Sequence, residues 1–223
     1  MAKKEQAILN NILNDNKESA PGVFLPVLTL IFLALSFFGT VSPQLRALWI
    51  LDRNALGQGE FWRIFGCHLV HFSPTHLFYN LLVFACAGWL VEKQNRLLFL
   101  LLYMLTAGAV SAALLWRYPN MGHYGGLSGV TCGFLLYSAF LLREQSGPWQ
   151  RAGWLLLIAL PLKVGLEFWH QGSILPYPDK QDFITMPLSH LAGMATAIAC
   201  FAVSWFQARF FKALKNFPAK RGA

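Results

Sequence analysis

The sequence predicts an all-α, polytopic membrane protein built as a bundle of six spanning helices. The chain of 223 residues is 56% hydrophobic and only 13% charged, with a mean hydropathy of +0.45, whereas a soluble domain carries about 25% charge. Its apolar residues gather into six runs, each close to the ~20 residues with which a helix crosses the hydrocarbon core. Its 18 Lys and Arg are shared unevenly between the segments joining those runs, as topology requires.

The elements follow in order. Residues 1–22 are polar and too long a lead for a typical signal peptide, and no small-residue cleavage pattern follows. The first apolar run, 23–41, is therefore expected to stay as an anchor. Residues 42–74 mix charge with Trp49, Phe61, Trp62 and Phe65, and aromatic side chains favour the headgroup level. That segment reads as a partly inserted outer loop rather than a seventh span. Further spans are expected at 75–91, 97–116, 125–142, 152–169 and 187–207. An even number puts both termini on one side. With the N-terminus cytoplasmic, the inner segments hold twelve Lys and Arg, the outer ones five, and Lys163 lies within a span. The basic end, 208–223, is then suited to anionic lipid rather than nucleic acid. The chain divides into a tail (1–22), one membrane domain (23–207) and a second tail (208–223), with the bilayer itself as a partner.

Cys67, Cys86, Cys132 and Cys200 have no CxxC spacing and sit mostly inside apolar runs, so they read as small buried hydrophobes. His68, His71 and His76 do not share a helical face, and no carboxylate or cysteine pattern completes a ligand set. No metal and no cofactor is expected.

Polar residues inside spans are costly and mark function. They recur in three helices that all enter from the outer face. The second opens with His76 and Asn80, four apart and so on one side. The fourth opens with Gly125-Gly126-Leu127-Ser128-Gly129, and the sixth contains Ser189-His190 in its first turn. At 1.5 Å per residue, His76, Asn80, Ser128 and His190 share one layer just below the outer interface. A serine beside a histidine has the composition for nucleophilic catalysis. His76, Asn80 and backbone N–H groups at Ser128 are placed to stabilise an oxyanion. No Asp or Glu occurs at that depth in these three helices, while Asp179 and Asp182 lie in the preceding loop, so a Ser/His dyad is expected rather than a triad. Gly125, Gly126, Gly129 and Gly133 are expected to let helix four approach Gly193 and Ala197 of helix six closely. Lys163 and Glu167, four apart on helix five, are expected to pair within the span. Such a pair also suits a proton-coupled transporter, but broken helices in repeated halves are missing from the pattern.

In order and spacing, Trp62-Arg63, His71-x4-His76-x3-Asn80, Gly126-Leu127-Ser128-Gly129 and His190-x2-Gly193 resemble the signature of rhomboid intramembrane serine proteases. The resemblance covers roughly residues 50–205. It implies Ser128 as nucleophile, His190 as general base, and His76, Asn80 and the Ser128 amide as the oxyanion hole. It also implies a structural contact for Glu92. The run Leu51-Asp52-Arg53-x3-Gly57-Gln-Gly59-Glu60-Phe-Trp62-Arg63 is more similar to rhombosortases, the bacterial subgroup associated with Gly-rich C-terminal sorting anchors. That implies an inner-membrane location and membrane-anchored substrates cut on the outer side.

Two positions depart from the pattern. The residue four after the nucleophile, often a ring that packs on the histidine, is Cys132, so another group must orient His190. The small-residue motif after the histidine ends in Ala197 rather than Gly, which adds a methyl to the contact between helices four and six. The competing class is a non-catalytic rhomboid-like protein that binds membrane clients. Retention of both Ser128 and His190 speaks against it.

Overall fold

The computed structural model describes residues 24–176 and 186–215. The expected tail at 1–22, the loop carboxylates Asp179 and Asp182, and residues 216–223 lie outside them. The architecture is an all-α, polytopic membrane bundle. Helix α1 (Val27–Val41) turns by 106° into α2 (Pro43–Trp49), and α3 (Arg53–Gly57) and α4 (Arg63–Gly66) follow. The long helices are α5 (Pro74–Gln94), α6 (Arg96–Arg117), α8 (Pro148–His170) and α9 (Pro187–Lys215), with the shorter α7 (Ser128–Arg143) among them. Among the described residues, α5, α6, α8 and α9 are long and apolar enough to cross a membrane. The expected first and fourth spans correspond to the 15-residue α1, which forms a bent pair with α2, and to the 16-residue α7. At 1.5 Å per residue α7 is about 24 Å long, short of a ~30 Å core.

Local chemistry explains the helix starts. Ser42, Ser73 and Asn95 each accept a backbone N–H as N-cap, and Pro stands in the first turn of α2, α5 and α8, where its missing N–H costs nothing. The fourth expected span begins later than its apolar run. Gly125 and Gly126 precede the helix instead of opening it, because Gly126 adopts φ +149°, a conformation that L side chains rarely take. Just upstream, β2 (His123–Tyr124) pairs antiparallel with β1 (Leu51–Asp52), Leu51 opposite Tyr124 and Asp52 opposite His123. This two-strand ladder, absent from the sequence expectation, ties the outer loop to the approach to Ser128. At the far end α9 runs through Lys215, past the expected limit at 207.

Helix α7 packs against α5, α6, α8 and α9. Most of it is buried, as befits a helix apolar on every side. Phe134 anchors it, with ring centroids 5.0 Å from both Phe84 and Phe99. The outward faces of the surrounding helices carry Leu82, Leu97, Leu101, Leu155, Ile158 and Leu162, a lipid-facing surface rather than a water-facing one.

Residues 42–74 form a chain of short helices held by polar contacts. The Arg63 guanidinium donates to the carbonyls of Ala47 (2.7 Å) and Ile50 (2.8 Å) and pairs with Glu60 at 2.6 Å. Trp62 Nε1 donates to Leu48 O at 3.1 Å. The Trp-Arg dipeptide thus fixes the loop's shape.

Glu92, 1% exposed in the last turns of α5, caps α1. Its carboxylate accepts from the Leu28 amide (3.0 Å), the Thr29 amide (2.8 Å) and the Thr29 hydroxyl (2.8 Å). Those amides belong to the donors a helix start cannot satisfy itself, and lipid offers them no alternative. Glu92→Ala is expected to cost about 2–3 kcal/mol, measured by denaturant unfolding in micelles. An unchanged midpoint would show that α1 does not depend on this cap.

Candidate active site

Ser128 is the first residue of α7 and is half-buried. The backbone leading to it is held from three sides. Gly126 N donates to Cys67 O at 3.1 Å, Tyr124 Oη donates to Gly126 O at 3.2 Å, and the Leu127 amide donates to His71 Nε2 at 3.3 Å. The last contact fixes the His71 tautomer. Nε2 accepts, so the proton sits on Nδ1, 3.3 Å from Thr40 Oγ1, whose own hydrogen goes to Ser36 O at 2.8 Å. Burial, then the neighbouring His76 and His68, hold the His71 imidazole well below its usual value, which keeps it neutral for this role. A chain of hydrogen bonds therefore runs from α1 to the residue before Ser128.

His68 is fully buried and reaches Ala107 O (3.0 Å), Ser111 Oγ (3.1 Å) and Gly126 O (3.3 Å). Burial pushes its pKa from 6.5 down to about 4, although the carbonyl contacts act in the opposite direction. A depressed folded value means the unfolded chain binds the proton first as pH falls. The stability His68 contributes is thus present above about pH 6.5 and lost as pH falls through about 4. Unfolding midpoints recorded from pH 7 to pH 4 should fall, with part of that slope missing in His68→Gln; identical slopes would contradict it. His68 and His71 thus both brace the Gly126–Leu127 backbone, and the His76 ring lies beside that of His71 with centroids 5.1 Å apart.

His76 and Asn80 lie on one buried face of α5, and Asn80 Nδ2 donates to His76 O at 2.8 Å. A Cβ at Gly126 would come within 3.3 Å of His76 Cε1, so Gly126 sits against His76 rather than at the α7–α9 contact expected from the sequence. That contact is made by Gly129, Gly133 and Gly193. A Cβ on Gly129 would meet Ser189 O at 2.8 Å, one on Gly133 would meet Gly193 O at 2.8 Å, and one on Gly193 would collide with Gly129 O. Ala197, one turn further, is fully buried in the core. Backbone contact beside Ser128 and His190 draws their helices together.

Ser128, His190, His76 and Asn80 line one cavity of about 850 Å³, together with residues 117–125 and Met186. Cys132, Lys163 and Glu167 line it too. The carboxylate was not anticipated at the histidine. Glu167 of α8, 1% exposed, places Oε2 2.7 Å from His190 Nδ1, and its Oε1 receives Lys163 Nζ at 2.6 Å. The expected Lys163–Glu167 pair exists, and it reaches on to the imidazole. The signal was in the topology: helix five ends at the same face where helices two, four and six begin, and Glu167 lies within a turn of that end, at His170.

The fold and its lipid-facing surface define a polytopic helical membrane protein with a largely apolar cavity into which a few polar side chains are set. The chain matches the Rhomboid domain family over residues 58–210 and belongs to that family. It is also similar to the rhomboid protease GluP of Bacillus subtilis (strain 168), with 28% identity over 148 residues. That alignment takes in 64% of this chain and 28% of the relative, so the chain spans under a third of that protein's length.

Proposed function

We propose that this protein is an intramembrane serine endopeptidase that cleaves membrane-anchored proteins within or beside a transmembrane segment. The observation that carries the reading is the shared cavity, in which Ser128 at a helix N-terminus and His190 meet His76 and Asn80. Ser128 Oγ attacks the scissile carbonyl while its proton passes to His190 Nε2. The oxyanion is stabilised by His76, Asn80 and the N–H groups that open α7, which also offer the positive end of the helix dipole. The imidazolium returns the proton to the leaving amine, and water repeats the cycle on the acyl-enzyme. None of these steps calls for a cofactor.

The Lys and Arg distribution favours cytoplasmic termini with the cavity on the outer side, and the rhombosortase likeness favours a bacterial inner membrane. Six crossings fit if α1 and α7 count as spans, the domain extending over 23–207 between two tails. The finer reading is a rhombosortase that processes Gly-rich C-terminal anchors. The residues that carry that likeness serve the loop's architecture: Asp52 caps α3, Arg53 donates to Leu115 O at 2.6 Å, and Glu60, Trp62 and Arg63 brace the short helices.

The test is labelling of the micelle-solubilised protein with a fluorophosphonate. Wild type should label, and Ser128→Ala and His190→Ala should not; equal labelling of all three would leave only the client-binding role. For the subgroup, a co-expressed reporter ending in a Gly-rich stretch, an apolar span and a basic cluster should be cut, and its Gly→Leu version should not. Equal cutting of both would discard the rhombosortase assignment.

A further inference from the structure

We propose that Glu167 is a positioning residue for the histidine base, completing a Ser128–His190–Glu167 array whose carboxylate also pairs with Lys163. The inference rests on the protease reading above. It begins from Cys132: one helical turn after Ser128, it brings a thiol to the cavity where a ring was expected to steady the imidazole. The structure supplies a different support, through the edge of the ring rather than its face. Glu167 Oε2 stands 2.7 Å from Nδ1. An ionised carboxylate only accepts hydrogen bonds, so the contact places the imidazole proton on Nδ1. The lone pair is then on Nε2, which is the tautomer a general base needs.

Lys163 completes the logic. A carboxylate with its side chain only 2% exposed costs several kcal/mol to bury alone, and a buried ion pair is seldom more stable than apolar residues of the same size. Stability therefore gives little reason to keep Lys163 and Glu167 here. A chemical reason is available. With Lys163 and Glu167 charged and His190 neutral, the trio has no net charge. When Ser128 passes its proton to Nε2, the new imidazolium lies against the buried carboxylate, which stabilises it. Lys163 Nζ, on the far oxygen of the same carboxylate at 2.6 Å, leaves the near oxygen facing the imidazole. Helix α8 holds both groups in register because residues four apart face the same way.

The experiment uses the full chain in micelles and a fluorophosphonate as probe, separating the maximal rate of Ser128 modification from the probe's half-saturating concentration. Glu167→Gln is close to isosteric and leaves an acceptor that cannot stabilise the imidazolium. Lys163→Met/Glu167→Gln removes both charges together, so no unpaired buried ion remains. Both variants are expected to modify Ser128 about 100-fold or more slowly, by analogy with loss of an orienting carboxylate. Half-saturation should change less than twofold, and the double variant should melt within a few degrees of wild type. A purely structural role would not confine the loss to the maximal rate in a variant that keeps its melting temperature. Rates within threefold of wild type in either folded variant would overturn the proposal. So would a rise in half-saturation that accounts for the loss, or failure of both variants to fold. If wild type itself does not label at Ser128, the protease reading falls and this inference with it.

Discussion

Ser128→Ala and His190→Ala are each expected to lower the hydrolysis rate of a transmembrane reporter in proteoliposomes by at least ~10⁴-fold, with half-saturation little changed. The double variant should be no slower than either single one. A nucleophile without its base and a base without its nucleophile are equally idle, so the two losses overlap instead of multiplying. His76→Ala and Asn80→Ala should cost less, about 10²- to 10³-fold each, because every oxyanion donor contributes separately. Losses at Ser128 and His190 that multiply in the double variant would mean the two side chains do not act as one unit.

Gly193→Ala is expected to be the most disruptive single methyl in the protein. Its new carbon would run into the Gly129 carbonyl oxygen and approach Gly133 N at 3.4 Å. Backbone cannot rotate aside as a flexible side chain can, so α7 and α9 must separate. Overpacking of this kind costs about 3 kcal/mol. It also moves the helix that carries His190 relative to the one that starts at Ser128, and misplacement by ~1 Å can cost about 100-fold in rate. Denaturant unfolding and fluorophosphonate labelling should both register the change. A stable and fully reactive Gly193→Ala protein would show that the contact at this glycine is slack.

Hydropathy located every long helix because lipid exposure leaves an unbroken apolar run. It misplaced the start of α7, since Val130 and Leu127 look equally apolar whether the Gly126 backbone is helical or at positive φ. Ser128, His190, His76 and Asn80 are legible together because all four follow a helix entry, where residue number measures distance from the interface. Glu167 is not, because it precedes a helix end. The i,i+4 spacing to Lys163 also made that carboxylate look already satisfied. Its second oxygen was free to serve another helix, which pairwise spacing does not reveal. The two-strand ladder between Leu51–Asp52 and His123–Tyr124 was illegible for a related reason, being too short to leave a period-2 pattern.

The cap on α1 bears on how the protein is made. The Leu28 and Thr29 amides are 64 and 63 residues away from the carboxylate that receives them. At 5–20 residues per second of translation, Leu28 and Thr29 are synthesised roughly 3 to 13 s before Glu92. For that interval the first amides of α1 must be satisfied by water, by headgroups or by the insertion machinery. The first of the described helices thus stays uncapped until the end of α5 arrives, and its seat is complete before α6 to α9 exist.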